Sequence, residues 1–295
     1  MELKDLRYFI EVVKYGSFTK AAANMFVSQP TLSKSLKKLE SELNVKLFER
    51  STRKLKLTDA GEIVYKQGLK ILETTDELMM LLDDLMHLPT GVIKIGVPPL
   101  IGTLFFPAIA KRWSEAYPNV TLELVELGAK RIEQLVDEGH VDIGMIVLPT
   151  DTKAFHVLPF LTEAFMLFVS SNHELASRKS VAIEELQKEN FIVFNREFAL
   201  HNLIISYCER AGFRPNIVYE SSQWDLIAEL VSVELGITLL PKMIYKKMDG
   251  EKIKMIPLRN PPLWELAIIT RKGRYQSFAL RQLLSLLSKW RIRDR

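Results

Sequence analysis

Between residues 28 and 37 the chain sets hydroxyls, an amide and two ammonium groups at helical spacing: Ser28, Gln29, Thr31, Ser33, Lys34 and Lys37, with Pro30 among them. At 100° per residue, Pro30, Ser33, Lys34 and Lys37 point away from an apolar stripe formed by Leu32, Leu36, Leu39 and Leu43, and Thr31 flanks them. Such a surface does no covalent chemistry. It suits hydrogen bonds to base edges and ion pairs with phosphates in a major groove. Gln29 and Thr31, at the helix start, are best placed for base edges, while Arg50 and Arg53 further along would reach the nucleic-acid backbone.

Covalent catalysis has no comparable residue set. The chain lacks G-x-S-x-G, H-E-x-x-H, G-x-x-x-x-G-K-[ST], C-x-x-C and G-x-G-x-x-G. Its histidines, at 87, 140, 156, 173 and 201, never approach metal-ligand spacing. A single cysteine, Cys208, excludes an intramolecular disulfide and a thiol-rich metal site. Neither an enzyme nor a cofactor is expected.

The elements that must position the basic face follow from local signals. Ser28 supplies an N-cap and Pro30 sits in the first turn, where a missing N–H is harmless. Ahead of it, a short helix beginning near Ser17 puts Phe18, Ala21, Ala22 and Met25 on one face and breaks at Phe26 and Val27. A first helix over 3–14 covers the pair with Leu3, Leu6, Phe9, Ile10 and Val13. After Leu43, the apolar residues Val45, Leu47, Phe48, Leu55 and Leu57 bracket a basic tip holding Arg50, Arg53 and Lys54, which predicts a small hairpin acting as a wing. Thr58 caps a long helix to about residue 87. In it Val64, Gly68, Ile71, Thr75, Leu78, Leu82 and Leu85 keep a four-three repeat over about 28 residues, roughly 42 Å. We read this as a dimerisation seam, with an intramolecular packing face as the alternative. Residues 1–58 hold 12 Lys/Arg against 6 Asp/Glu, whereas the whole chain holds 40 against 36, so the basic excess lies on this head.

The run A-A-x-x-M-x-V-S-Q-P-T-L-S-x-x-L-x-x-L-E-x-x-L-N-V-x-L-F-x-R is similar to the amino-terminal signature of LysR-type transcriptional regulators. Met25 stands where leucine is usual, Lys34 where arginine is common, and Asn44 where glycine usually closes the helix. The resemblance implies a winged helix-turn-helix head on double-stranded promoter DNA of dyad symmetry, a dimer or tetramer, a small-molecule effector, and RNA polymerase as a further partner.

Residues 88–91 read as a hinge, and beyond them short β-branched runs alternate with helices, which predicts parallel sheets with right-handed crossovers. Strands are expected at 92–97, 120–125, 141–147, 165–170, 191–194, 217–220, 237–240, 252–256 and 263–270. Helices are expected at 104–116, 130–138, 200–211, 224–233 and 278–290. The arrangement resembles the two-lobed α/β, periplasmic-binding-protein-like effector domain of the same family, and residues 229–241 are similar to one of its recurring segments. The expected domains are thus 1–58 for the head, 59–90 for the linker helix and hinge, 91–161 with 266–295 for lobe I, and 162–265 for lobe II.

Ligands of open α/β sheets bind beyond the carboxyl ends of strands. That rule selects Pro99, Leu100, Ile101 and Thr103, then Gly128, Val147, Arg196, His201, Asn202, Trp224 and Ile237. In the family the first of these loops often carries a hydroxyl for a carboxylate. Here Pro99 and Leu100 stand there, with Thr103 the nearest hydroxyl. Thr103, Arg196, His201 and Asn202 are the expected polar grips, which points to a small anionic metabolite, against walls from Leu100, Ile101 and Trp224. His201 has a helix-capping role as its alternative, and Trp224 a core role. No amino-terminal run resembles a signal peptide and no stretch of eighteen apolar residues occurs, so a cytoplasmic protein without membrane contact is expected. The competing function is a cytosolic solute-binding module without sequence-specific DNA binding.

Overall fold

The computed structural model describes residues 1–49, 55–85 and 91–290, and the chain divides into two compact units, Met1–His87 and Leu88–Arg295. The expected wing tip, with Arg50, Arg53 and Lys54, and residues 88–90 of the expected hinge at 88–91 lie outside the described residues, while Gly91 begins the first strand.

In the first unit α1 (Leu3–Tyr15), α2 (Phe18–Asn24) and α3 (Gln29–Leu43) precede the long α4 (Asp59–Leu85). Ser17 caps α2 and Ser28 caps α3, each by accepting a backbone N–H. Leu32, Leu36 and Leu39 are buried against Leu6, Phe9, Ile10, Ala21 and Ala22. Leu3 instead stays 46 % exposed, and Tyr8 and Val12 join the core of α1. Asp5 is buried between helices, where its carboxylate accepts the Ser35 hydroxyl and lies 3.6 Å from the Lys38 ammonium.

The hairpin expectation holds at its base, where Phe48 and Leu57 bridge antiparallel. Glu40 fastens that base to α3: its carboxylate accepts the Leu47 N–H at 2.8 Å and the Lys46 ammonium at 2.9 Å. Burial opposes its charge, yet the Leu47 N–H and Lys46 hold the carboxyl below its ordinary value. Glu40 therefore stabilises the head above the ordinary carboxylate range, a contribution lost as pH falls through the lowered value. Thr58 starts α4, accepting the Gly61 N–H at 3.0 Å and donating its hydroxyl to the Lys46 carbonyl.

The expected seam of α4 divides in two. Gly68 is buried beside Leu6 and Ile10, and Val64, Leu69 and Leu72 pack on the head's core, so the first turns make an intramolecular face. Ile71, Leu78 and Leu82 are 40 %, 54 % and 50 % exposed. The compact unit Met1–His87 spans both the head and this helix.

The second unit runs β1 (Gly91–Val97), α5 (Pro99–Ala116), β2 (Val120–Glu126), α6 (Ala129–Asp137), β3 (Ile143–Val147), β4 (Phe155–Ser170), β5 (Asn190–Phe194), α7 (Ala199–Arg210), β6 (Asn216–Ser221), α8 (Trp224–Ser232), β7 (Thr238–Pro241), β8 (Ile253–Pro257), β9 (Leu263–Arg271) and α9 (Phe278–Trp290). The main sheet has the order β2-β1-β3-β9-β4-β7, with β8 also on β4, and β5 pairs β6 separately. Parallel pairing holds for β1 with β2 and β3 and for β5 with β6, while β9 lies antiparallel to both β3 and β4. The sheet is therefore mixed, not wholly parallel as expected.

Two further expectations change. The segment 98–103 is not a loop: Pro98 is the N-cap of α5 and Pro99 its first residue, because proline at that position has no hydrogen bond to lose. And β4 begins ten residues before the expected strand, its first part held by ladder bonds to β9. The pairing runs on through Thr162 opposite Glu265, Glu163 opposite Trp264 and Ala164 opposite Leu263, after which β4 pairs with β7 from Phe165 and with β8 from Met166. The expected lobe boundaries at 161/162 and 265/266 fall within the β4–β9 pairing.

Candidate nucleic-acid interface and effector cleft

The amino-terminal end of α3 is an ordered polar surface. Ser28 Oγ accepts the Thr31 N–H at 3.3 Å, and the two hydroxyls are 2.8 Å apart. Gln29 donates its side-chain amide to Ser33 Oγ at 2.9 Å, which fixes the amide's direction along the helix. Ser28, Gln29, Pro30, Thr31, Lys34 and Lys37 are exposed and Ser33 is half-buried. Lys38, one position on, turns back to Glu2 and Asp5. The helix thus separates ammonium groups that hold the head together from those that face solvent. Arg50 and Arg53, expected on the nucleic-acid backbone, lie outside the described residues. Glu40, which fixes where the wing leaves α3, carried no signal beyond its place in the family run.

In the second unit, helices α5, α6, α7 and α8 each follow the carboxyl end of a strand: β1, β2, β5 and β6. Their N-cap residues are Pro98, Gly128, Phe198 and Gln223, and none supplies a side-chain cap. Ser17, Ser28 and Thr58 cap helices of the head, whereas Glu2 before α1 does not, and at these four termini the first-turn backbone N–H groups likewise receive no hydrogen bond from the N-cap side chain. Two of them face each other, because a Cβ on Gly128 would lie 3.0 Å from the Glu197 carbonyl oxygen. A side chain at residue 128 would press on lobe II there.

The expected grips and walls separate accordingly. Leu100, Ile101, Val147 and Ile237 are buried with the core, so the side chains of Leu100 and Ile101 are taken up by packing. Thr103 is half-buried on α5, Pro99 is half-buried at its start, and Asn202 is exposed on α7. Arg196 is 84 % exposed, its Nε 4.0 Å from Glu220. His201 is buried and its Nδ1 lies 2.8 Å from the Phe194 carbonyl, which ties α7 to β5 through one ring nitrogen. Trp224, the first residue of α8, packs half-buried against the core.

Sequence reading missed Trp264. Its indole N–H is buried without a hydrogen-bond partner among the described residues, on β9 opposite Glu163. Burial lifts the Glu163 carboxyl above its ordinary value, although the Met243 N–H donates to it at 3.0 Å. Nothing in the sequence marked Trp264 beyond an ordinary strand residue. A separate groove of about 600 Å³, lined by Tyr207, Arg210, Arg259 and Pro262, shares none of the expected effector residues.

A helix-turn-helix head with an exposed basic face, followed by a two-lobed α/β domain, defines a ligand-responsive DNA-binding transcription regulator. Residues 3–62 match the bacterial regulatory helix-turn-helix proteins of the lysR family, and residues 87–291 match the LysR substrate binding domain. The chain belongs to the LysR family of transcriptional regulators. It is 47 % identical over 285 residues to the HTH-type transcriptional regulator YwbI of Bacillus subtilis, covering 96 % of this chain and 95 % of that protein. It is 33 % identical over 260 residues to the regulator AlsR of the same organism, covering 84 % and 86 %. Among solved structures, full-length OxyR of Pseudomonas aeruginosa superposes with a TM-score of 0.75 at 26 % identity, covering 98 % of this chain and 94 % of that one. Full-length CbnR in complex with its target DNA shares the fold, with a TM-score of 0.69 at 19 % identity and coverage of 98 % and 100 %.

Proposed function

We propose that the chain acts in the cytoplasm as a homodimer, or a dimer of dimers, which sets one α3 in each half of a dyad-symmetric promoter site and responds to a small anion held between its lobes. RNA polymerase enters as the partner that membership of the family implies. Among the described residues no helix is long and apolar enough to cross a membrane, and no group of three or more His, Cys, Asp or Glu is placed to hold a metal. No enzymatic step is proposed.

The observation that carries the DNA reading is the exposed, internally braced start of α3. Gln29 reaches base edges and Lys37 the phosphates. Gln29→Ala is expected to cut discrimination between the cognate duplex and a scrambled one by about 1–3 kcal/mol, whereas Lys37→Ala weakens both duplexes alike and lowers the salt dependence. Titration of both variants on both duplexes by fluorescence anisotropy decides. Equal losses for the two variants would remove α3 from the reading role.

The observation that carries the effector reading is the set of four helix termini without side-chain caps. Backbone N–H groups at such termini bind carboxylates or phosphates, and Arg196 and Thr103 stand beside them. To change transcription, the anion must bind one arrangement of the dimer better than another. A thermal-shift screen pairing metabolic carboxylates with their amides should show stabilisation by acids and not by amides. Stabilisation by the amide alone would overturn an anionic effector.

A thiol switch is not proposed. The hydrogen peroxide-inducible genes activator of Haemophilus influenzae is a relative at 28 % identity over 275 residues. Here the one cysteine, Cys208, is buried, and burial pushes its thiol up to about 12, so it remains protonated and unreactive at neutral pH.

A further inference from the structure

Three helix ends in the head close in the left-handed backbone conformation. Gly16 ends α1 with φ +58°, Asn44 ends α3 with φ +54°, and Phe26 follows α2 with φ +53°. Glycine and asparagine are the residues that this conformation favours, and a bulky side chain there is strained by about 1 kcal/mol or more. The α2 end is a complete Schellman arrangement: the Val27 N–H donates to the Ala22 carbonyl at 3.0 Å and the Phe26 N–H to the Ala23 carbonyl at 3.2 Å. Its hydrogen bonds need no phenylalanine. Nor does the core, since Phe26 is 96 % exposed. Val27 and Met25 on either side pack against the head's core, so the ring alone is left outside.

Backbone preference and packing therefore both argue against the residue that is present, and its address supplies a reason for it. Phe26 stands two residues before the Ser28 cap, at the end of α3 that carries Gln29, Pro30 and Thr31. We infer that Phe26 is a DNA contact, its ring meeting apolar atoms at the lip of the major groove, either a thymine 5-methyl group or a deoxyribose. This rests on the reading of α3 given above. Aromatic and methyl-bearing side chains contact the thymine methyl in this way, and a ring at the rim adds affinity without neutralising a phosphate.

The test uses the full chain with Phe26→Gly, Phe26→Asn and Phe26→Tyr, and Gln29→Ala beside them. The glycine and asparagine variants should melt no lower than the parent, because both relieve the strain. They should bind the cognate duplex about tenfold more weakly, with an unchanged slope of affinity against salt, while Phe26→Tyr stays near the parent. Replacing single thymines by deoxyuridine then separates the two sources: a position where the parent loses affinity and Phe26→Gly does not identifies a methyl contact, and no such position identifies a deoxyribose. Parental affinity in Phe26→Gly and Phe26→Asn, with discrimination reduced in Gln29→Ala, would overturn this inference and leave α3 as the reader. Parental behaviour in all of these variants would overturn both.

Discussion

Gly61→Ala is expected to destabilise the head by about 3 kcal/mol or more and to abolish binding to every DNA sequence alike. A Cβ at this position would lie 2.1 Å from the Leu47 carbonyl oxygen and 3.1 Å from the Leu47 carbonyl carbon, both main chain, with the Leu57 side chain at 3.0 Å. The carbonyl cannot step aside cheaply. It already accepts the Thr58 N–H at 3.0 Å, and the same residue's N–H is bound by Glu40. Moving Leu47 would disturb the base of the wing and the start of α4 together. Gly16→Ala is the comparison: nothing lies within 4 Å of a Cβ there, so its cost is that of φ +58° alone, about 1 kcal/mol. Melting of both variants, with amide exchange at Leu47 and Thr58, checks the difference. A loss below about 1 kcal/mol for Gly61→Ala would mean that the wing base yields.

The head was legible because its determinants are local. Ser28, Pro30, the leucines at 32, 36 and 39, and Asn44 lie within one helix and its caps, and each acts through neighbours a few residues away. The second unit was legible in order but less so in detail. Pro98 and Pro99 favour a turn and the first turn of a helix equally, and the helix prevails because Leu100 and Ile101 bury into the core. The first half of β4 contains Pro159 and polar residues, and becomes a strand by pairing with β9, about a hundred residues downstream. His201 meets a carbonyl at the end of another strand through its Nδ1, a contact that spacing does not reveal. Phe26 is the opposite case: sequence placed the break correctly, yet only its φ and exposure in the folded chain show that its residue type serves no purpose within the fold.

The seam of α4 shows how a periodicity can be read correctly and still leave its partner open. A four-three repeat is the same whether the face packs on its own chain or on another, and α4 does the first over Val64 and Gly68, where the missing side chain lets Leu6 and Ile10 approach. Beyond that point Ile71, Leu78 and Leu82 continue the repeat, and at half exposure the two leucines leave an apolar edge. A second copy of the same helix is the occupant that matches both its spacing and a dyad-symmetric site. Leu78→Asp combined with Leu82→Asp is therefore expected to give monomers in sedimentation while the head melts as in the parent, since neither residue belongs to its core. Binding to the full dyad should fall about 10²–10⁴-fold, because the second head no longer binds at the high local concentration that linkage provides, and binding to an isolated half-site should not change. A variant that stays dimeric with parental affinity for the dyad would place the dimer contact elsewhere. Loss of half-site binding as well would show instead that these leucines support the head itself.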